Sequence, residues 1–168
     1  MKNPQCHTEL IRKLILQDDL SKAFSIMIDD NEEFWYKLIK SNRITEEFIK
    51  SLAPMERCQI ERIRKAFEKC ITIEKIKLFA KPEFNCFQMD AIIDACSAEI
   101  CFEKIEILAN PSLPDTDMEE MTKAYRFGLS LEDAPAFASL PLYDKKKCAH
   151  ELEKKEKIKN FYKLLKKD

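Results

Sequence analysis

Lys-Pro-Glu-Phe-Asn-Cys-Phe-Gln-Met-Asp-Ala-Ile-Ile-Asp-Ala (Lys81–Ala95) is echoed by Asn-Pro-Ser-Leu-Pro-Asp-Thr-Asp-Met-Glu-Glu-Met-Thr-Lys-Ala (Asn110–Ala124). Pro82 matches Pro111, Phe84 matches Leu113, Met89 matches Met118, Ile92 matches Met121 and Ala95 matches Ala124, every pair 29 residues apart. The register runs on through Ile100/Leu129, Glu103/Glu132, Ile105/Ala134 and Ala109/Ala138. An earlier copy aligns at the same offset through Gln59/Gln88, Ile60/Met89, Ile63/Ile92, Ala66/Ala95, Glu74/Glu103, Ile76/Ile105 and Ala80/Ala109. A fixed period of this size predicts stacked supersecondary units.

Each unit follows one grammar. A proline and an apolar residue lead into a long helix of roughly 13–15 residues, about 21 Å at 1.5 Å per residue. A sharp corner follows, then a Thr, Cys or Ser (Thr72, Cys101, Ser130) at the cap of a short helix of about eight residues. Gly128, the only glycine, sits at the third corner, where a left-handed residue stops a helix. Cys70 and Glu99 occupy the equivalent corners and must bend without a glycine's help, so strain is expected there.

The same reading organises the rest of the chain. Residues 8–54 carry diverged helix pairs: one helix to Gln17, one from Ser21 to Ile28, one over Glu32–Ser41 stopped by Asn42, and one capped by Thr45 and ending at Leu52. Residues 55–138 hold the three repeats, and 141–168 form a long lysine-rich capping helix. The expectation is one all-α domain over 1–168: helix hairpins in a short solenoid, or a compact bundle if the array curls. One glycine in 168 residues argues against hairpin-rich folds, dinucleotide folds and phosphate-cradling loops together. Charged residues inside the first apolar run argue against a signal peptide, and no apolar stretch is long enough for a membrane span. Seven cysteines at irregular spacings then read as reduced thiols of a cytoplasmic protein.

The phrase Phe84-x-x-x-Gln88-Met89-x-x-Ile92-x-x-Ala95, with Gly128-Leu129-Ser130-x-Glu132 and a closing Phe137-Ala138, resembles a short helical-hairpin repeat of proteins from gut Firmicutes, their phages and mobile elements. The resemblance covers about half of the chain, Met55–Ala138, and the glycine is missing in two of three copies. Some small proteins of such elements are anti-CRISPR inhibitors, so the resemblance implies a partner such as a CRISPR nuclease.

Little in the chain suggests catalysis: two histidines, no nucleophile elbow, no glycine-rich loop and no His-Glu-x-x-His. The expectation is therefore a non-enzymatic protein, an enzyme with an unrecognised site being one alternative. Cys6-His7 and Cys148-x-His150 would offer four zinc ligands only if the chain ends met, which a solenoid prevents; no metal and no cofactor are expected. Charge is more informative. From Asp90 to Asp144 twelve carboxylates face three cations, a balance of −9, while Lys145–Asp168 carries ten lysines against four acids, a balance of +6. Solvated helix faces would account for both. The sharper reading is an acidic face that binds a basic, nucleic-acid-binding protein through Asp115, Asp117, Glu119, Glu120, Glu132 and Asp133. The alternative is a nucleic-acid accessory protein using Lys145, Lys146, Lys147, Lys154 and Lys155. Trp35 and Tyr36 are the aromatic contact candidates by residue type, since Phe34-Trp35-Tyr36 cannot all share one buried stripe.

Overall fold

The structure, a computed structural model, describes residues 33–35, 37–41 and 43–165. The helices expected over residues 8–28, the helix stop at Asn42 and the contact residue Tyr36 lie outside the described residues. Every regular element among the described residues is helical. Positions 33–35 and 37–40 are followed by α1 (Glu46–Leu52), α2 (Arg57–Glu68), α3 (Ile73–Phe79), α4 (Cys86–Ser97), α5 (Phe102–Leu108), α6 (Asp115–Arg126), α7 (Ala134–Ala138) and α8 (Leu142–Leu165). The chain divides into two compact units, Met1–Asn85 and Cys86–Asp168. The division falls in the linker that leads into α4, inside the repeated region.

In the first unit, Thr45 caps α1 as expected: its Oγ1 accepts the N–H of Phe48 at 3.2 Å. Helix α2 starts on a reciprocal cap. The Gln59 Oε1 accepts from the Glu56 N–H at 2.7 Å, and the Glu56 carboxylate accepts from the Gln59 N–H. Its buried residues Ile60, Ile63 and Phe67 recur at helical spacing, while Arg57–Glu61 and Arg64–Glu68 pair along its outer side. Phe67 is the centre of an aromatic cluster, edge-on to Trp35 and to Phe48 with ring centroids 6.2 Å away in each case. Trp35 is only 3% exposed, so the residue expected to meet a partner is a core residue. In the second unit, α4 is buried nearly all round through Gln88, Met89, Ala91, Ile92, Ile93, Ala95 and Cys96. It packs on α5 and α6, and α6 packs most extensively on α8.

The corners between long and short helices share one geometry. Cys70, Glu99 and Gly128 all have positive φ, at 58°, 58° and 99°. At each, the left-handed residue donates to the carbonyl three back: Cys70 to Phe67, Glu99 to Cys96, Gly128 to Tyr125. The next N–H reaches five back, from Ile71 to Ala66 O and from Leu129 to Ala124 O. Paired bonds of this kind satisfy the last carbonyls of a helix. Glycine adopts the conformation freely; a side chain there costs about 1–2 kcal/mol. The expectation of strain at Cys70 and Glu99 therefore stands on backbone angles.

A second recurring geometry joins the long helices α2 and α4 each to the linker that follows its short helix. Gln59 Nε2 donates to the carbonyls of Pro82 (3.1 Å) and Phe84 (2.5 Å). Gln88 Nε2 donates to the carbonyls of Pro111 (3.0 Å) and Leu113 (2.7 Å). Both glutamines are buried, and the carbonyls they reach sit 23 and 25 residues downstream in each case. The residues that close the two short helices, Ala80 and Ala109, donate their N–H groups to Ile76 O and Ile105 O and have near-identical ψ angles, 62° and 54°.

Among the described residues the cysteines divide into two groups. Cys70, Cys96, Cys101 and Cys148 are free thiols, as expected, whereas Cys58 and Cys86 are disulfide-bonded.

Two substitutions test these devices. Replacing Gln88 by Leu leaves the Pro111 and Leu113 carbonyls without their donor, and should lower stability by about 1–3 kcal/mol in urea unfolding. Replacing Glu99 by Gly relieves the left-handed side chain and should raise stability by about 0.5–1 kcal/mol, net of the extra freedom glycine gives the unfolded chain.

Candidate functional site

The second unit carries every charged residue singled out in the sequence, on α6, on the lead-in to α7 and on α8. Position 117 decides how they divide. It is the repeat equivalent of Gln59 and Gln88, but a carboxylate cannot donate to the linker carbonyls. Instead Asp117 accepts from Lys145 Nζ at 2.5 Å. The Lys145 side chain is 3% exposed and that of Asp117 16%. Asp117 therefore holds the start of α8 against α6, and neither group is presented to a partner. The expectations that Asp117 binds a protein and Lys145 a nucleic acid are corrected by this internal pair. Thr122, the other divergent position of the helix, is also satisfied within it, its hydroxyl donating to Met118 O at 2.8 Å.

Glu120 is likewise turned inward: its side chain is 7% exposed and accepts from Lys123 Nζ at 2.7 Å. Lys104 donates to Leu129 O at 2.6 Å and lies 4.9 Å from the centroid of the Tyr125 ring. Two of the three cations of the acidic segment are thus engaged inside the unit. Asp115 is half-buried, while Glu119, Glu132 and Asp133 are exposed, joined by Glu99, Glu103 and Glu106, which the sequence reading did not single out. Asp133 also accepts from the Ser130 hydroxyl at 2.6 Å, and Ser130 Oγ caps the turn by accepting the Asp133 N–H at 3.0 Å. Glu103 stays ionised below the usual carboxylate range through its own backbone N–H first and the Cys101 thiol second.

Clefts open in this unit, two of which border the charged residues. One, of about 250 Å³, lies between α4 and α6. Phe87, Asp90 and Asp94 wall it on one side, Glu119, Lys123 and Arg126 on the other, over Ala91 and Thr122. Phe87 is 70% exposed at its edge. The other, of about 310 Å³, lies between α7 and the first half of α8, with Leu129, Phe137, Leu140 and Leu152 inside and Asp133, Glu151 and Lys155 at the rim. Neither gathers a nucleophile, a base and an oxyanion donor. On α8, Lys146, Lys147, Lys154 and Lys155 are exposed. No group of three or more metal-ligating residues occurs among the described residues; Cys6 and His7 are not among them. No described helix is long and apolar enough to cross a membrane.

Among the described residues, Tyr125 is a buried group whose ionisation is strongly displaced. Its hydroxyl has no hydrogen-bond partner among the described residues, and burial, with a smaller contribution from Cys101, pushes it up to about 12. Comparison with protein-family models, with curated proteins and with solved structures gives no match.

The pair and the tyrosine each give an expected outcome. Asp117→Ala alone leaves a buried ammonium and should cost about 3 kcal/mol; adding Lys145→Met should recover more than 1 kcal/mol of that, measured as a double-mutant cycle. Neutral Tyr125 is favoured by the fold, so its contribution is complete below its unfolded value near 10 and is lost as pH rises from there to about 12. Tyr125→Phe should shrink the alkaline loss of stability in that window relative to the parent, read by urea melts at pH 8 and pH 11.

Proposed function

We propose that the chain is a stack of helix hairpins that works as a non-enzymatic protein-binding module, presenting an acidic surface to a basic macromolecule. The observation that carries this reading is the distribution of charge between inside and outside. Lys104 and Lys123 are engaged within the second unit, Glu120 and Asp117 are neutralised there, and Glu99, Glu106, Glu119 and Glu132 are exposed with no ion pair among the described residues. A surface of carboxylates without countercharge steers basic partners and repels phosphates. The recurrence of corners and glutamine bonds at a 29-residue spacing supports the stacked arrangement, since units built alike expose their carboxylates at regular intervals.

The partner that suits such a surface is a protein whose own groove holds nucleic acid, with the carboxylates taking the place of phosphates. A CRISPR nuclease is the particular case that the sequence resemblance implies. In that case adding the protein suppresses cleavage, and suppression weakens as salt is raised.

The test is charge reversal at exposed positions only. A Glu106→Lys, Glu119→Lys, Glu132→Lys chain should keep its helical spectrum and lose at least about tenfold in association rate with the basic partner at low salt. Binding or inhibition that is indifferent to all three would end the acidic-surface reading.

A further inference from the structure

The junction between a short helix and the next helix changes in the third copy. The first two linkers, residues 80–85 and 109–114, have six residues each, whereas 139–141 has three. Phe84 and Leu113, at the same place in the first two linkers, are buried and half-buried. Their register equivalent, 29 residues after Leu113, is Leu142, which opens α8 and is 37% exposed. The third junction thus exposes a residue that the others cover, and the cleft of about 310 Å³ lies there, between α7 and α8. Its volume is at the lower end of the range for small-ligand sites.

The cleft is apolar inside and carries both signs of charge at its mouth. Leu129, Phe137, Leu140 and Leu152 line it, together with the free thiol of Cys148. Cys148, Glu151, Leu152 and Lys155 follow one another at i, i+3, i+4 and i+7, one face of α8. Glu151 and Lys155 are exposed and one turn apart. Neither has an ion pair among the described residues, although Lys157 pairs with Glu153 and Lys159 with Glu156 on the same helix. Asp133 adds a second carboxylate from the lead-in to α7. A ligand of one sign meets repulsion at this mouth, an anion from the two carboxylates and a cation from the lysine. A zwitterion meets an opposite charge for each of its own. A free α-amino acid carries both signs on one carbon, with its side chain directed away from them.

We propose that the α7–α8 cleft binds a free apolar α-amino acid. Its side chain lies among Leu129, Phe137, Leu140 and Leu152, its ammonium meets Asp133 and Glu151, and its carboxylate meets Lys155. A leucine, methionine or phenylalanine side chain suits these walls, whereas a charged side chain would lose its hydration there without a partner. The inference goes beyond the protein-binding reading and does not rest on it; a chain that binds an amino acid and no basic protein, or the reverse, separates the two.

The experiment is titration calorimetry of the full chain with L-phenylalanine and L-leucine, beside alkylation of the free thiols read by mass spectrometry. Both amino acids should bind with dissociation constants below about 1 mM, and L-lysine and L-aspartate should give no heat. Phenylalaninamide, which lacks the carboxylate, and N-acetylphenylalanine, which lacks the ammonium, should each bind at least about tenfold more weakly. Saturating L-phenylalanine should slow alkylation of Cys148 at least about fivefold and leave Cys70 and Cys101, both exposed, unchanged. Lys155→Gln and Glu151→Gln, at exposed positions, should keep the helical spectrum and each weaken binding at least about fivefold. The proposal is overturned if neither heat nor protection of Cys148 appears at about 10 mM amino acid, or if binding is unchanged in a chain carrying both substitutions. Equal binding of N-acetylphenylalaninamide, which is neutral, would overturn it in favour of a pocket for a protein side chain.

Discussion

A buried primary amide with two carbonyls in front of it is the constraint on which the other features depend. In the linkers between a short helix and the next long one, the backbone bonds the Lys81 and Asn110 carbonyls. The carbonyls on either side of Glu83 and Ser112, at Pro82, Phe84, Pro111 and Leu113, are met by a side chain; a buried carbonyl left bare would cost more than the net gain of most contacts. Gln59 and Gln88 remove that cost with one side chain each, because a glutamine amide has two N–H donors set at a fixed angle. Gln59 also uses its oxygen, on the N–H of Glu56, so the residue that fixes the linker fixes the start of its own helix. Helix start, linker path and packing distance are thus tied to one atom group. A substitution there is felt in all three.

At the third position the donor becomes an acceptor, and the chain answers with an ammonium. Asp117 and Lys145 do for α8 what amide and carbonyls do for the earlier linkers, at the expense of burying charge. The exchange also changes the specificity of the junction. Many linkers can present two carbonyls, whereas few segments can present a lysine at the first turn of a helix.

The all-helical class, the cap at Thr45 and the awkward corners at Cys70 and Glu99 were legible in the sequence, because each follows from the chemistry of neighbouring residues. The role of Asp117 was not. Its departure from glutamine was visible, but the sequence shows only that polarity changed, not which atom lies opposite. Lys145, Lys146 and Lys147 read as equivalents in a row; only the rotation of α8 against α6 picks out one for the interior. Trp35 failed for the same reason, since helix phase rather than residue type put it against Phe67. The exposed acids Glu103 and Glu106 were passed over because they belong to a regular copy, and attention went to the irregular one.

Among the described residues, single side-chain bonds tie successive elements of each unit together. Those from Gln59, Gln88, Lys104 and Asp117 span 23 to 28 residues. Closing loops of one modest length keeps the entropy of each step small and alike, and contacts of short range are the ones that form quickly. During synthesis, everything Gln88 requires has been made once Leu113 has left the ribosome, so assembly can follow the order of translation, one linker at a time.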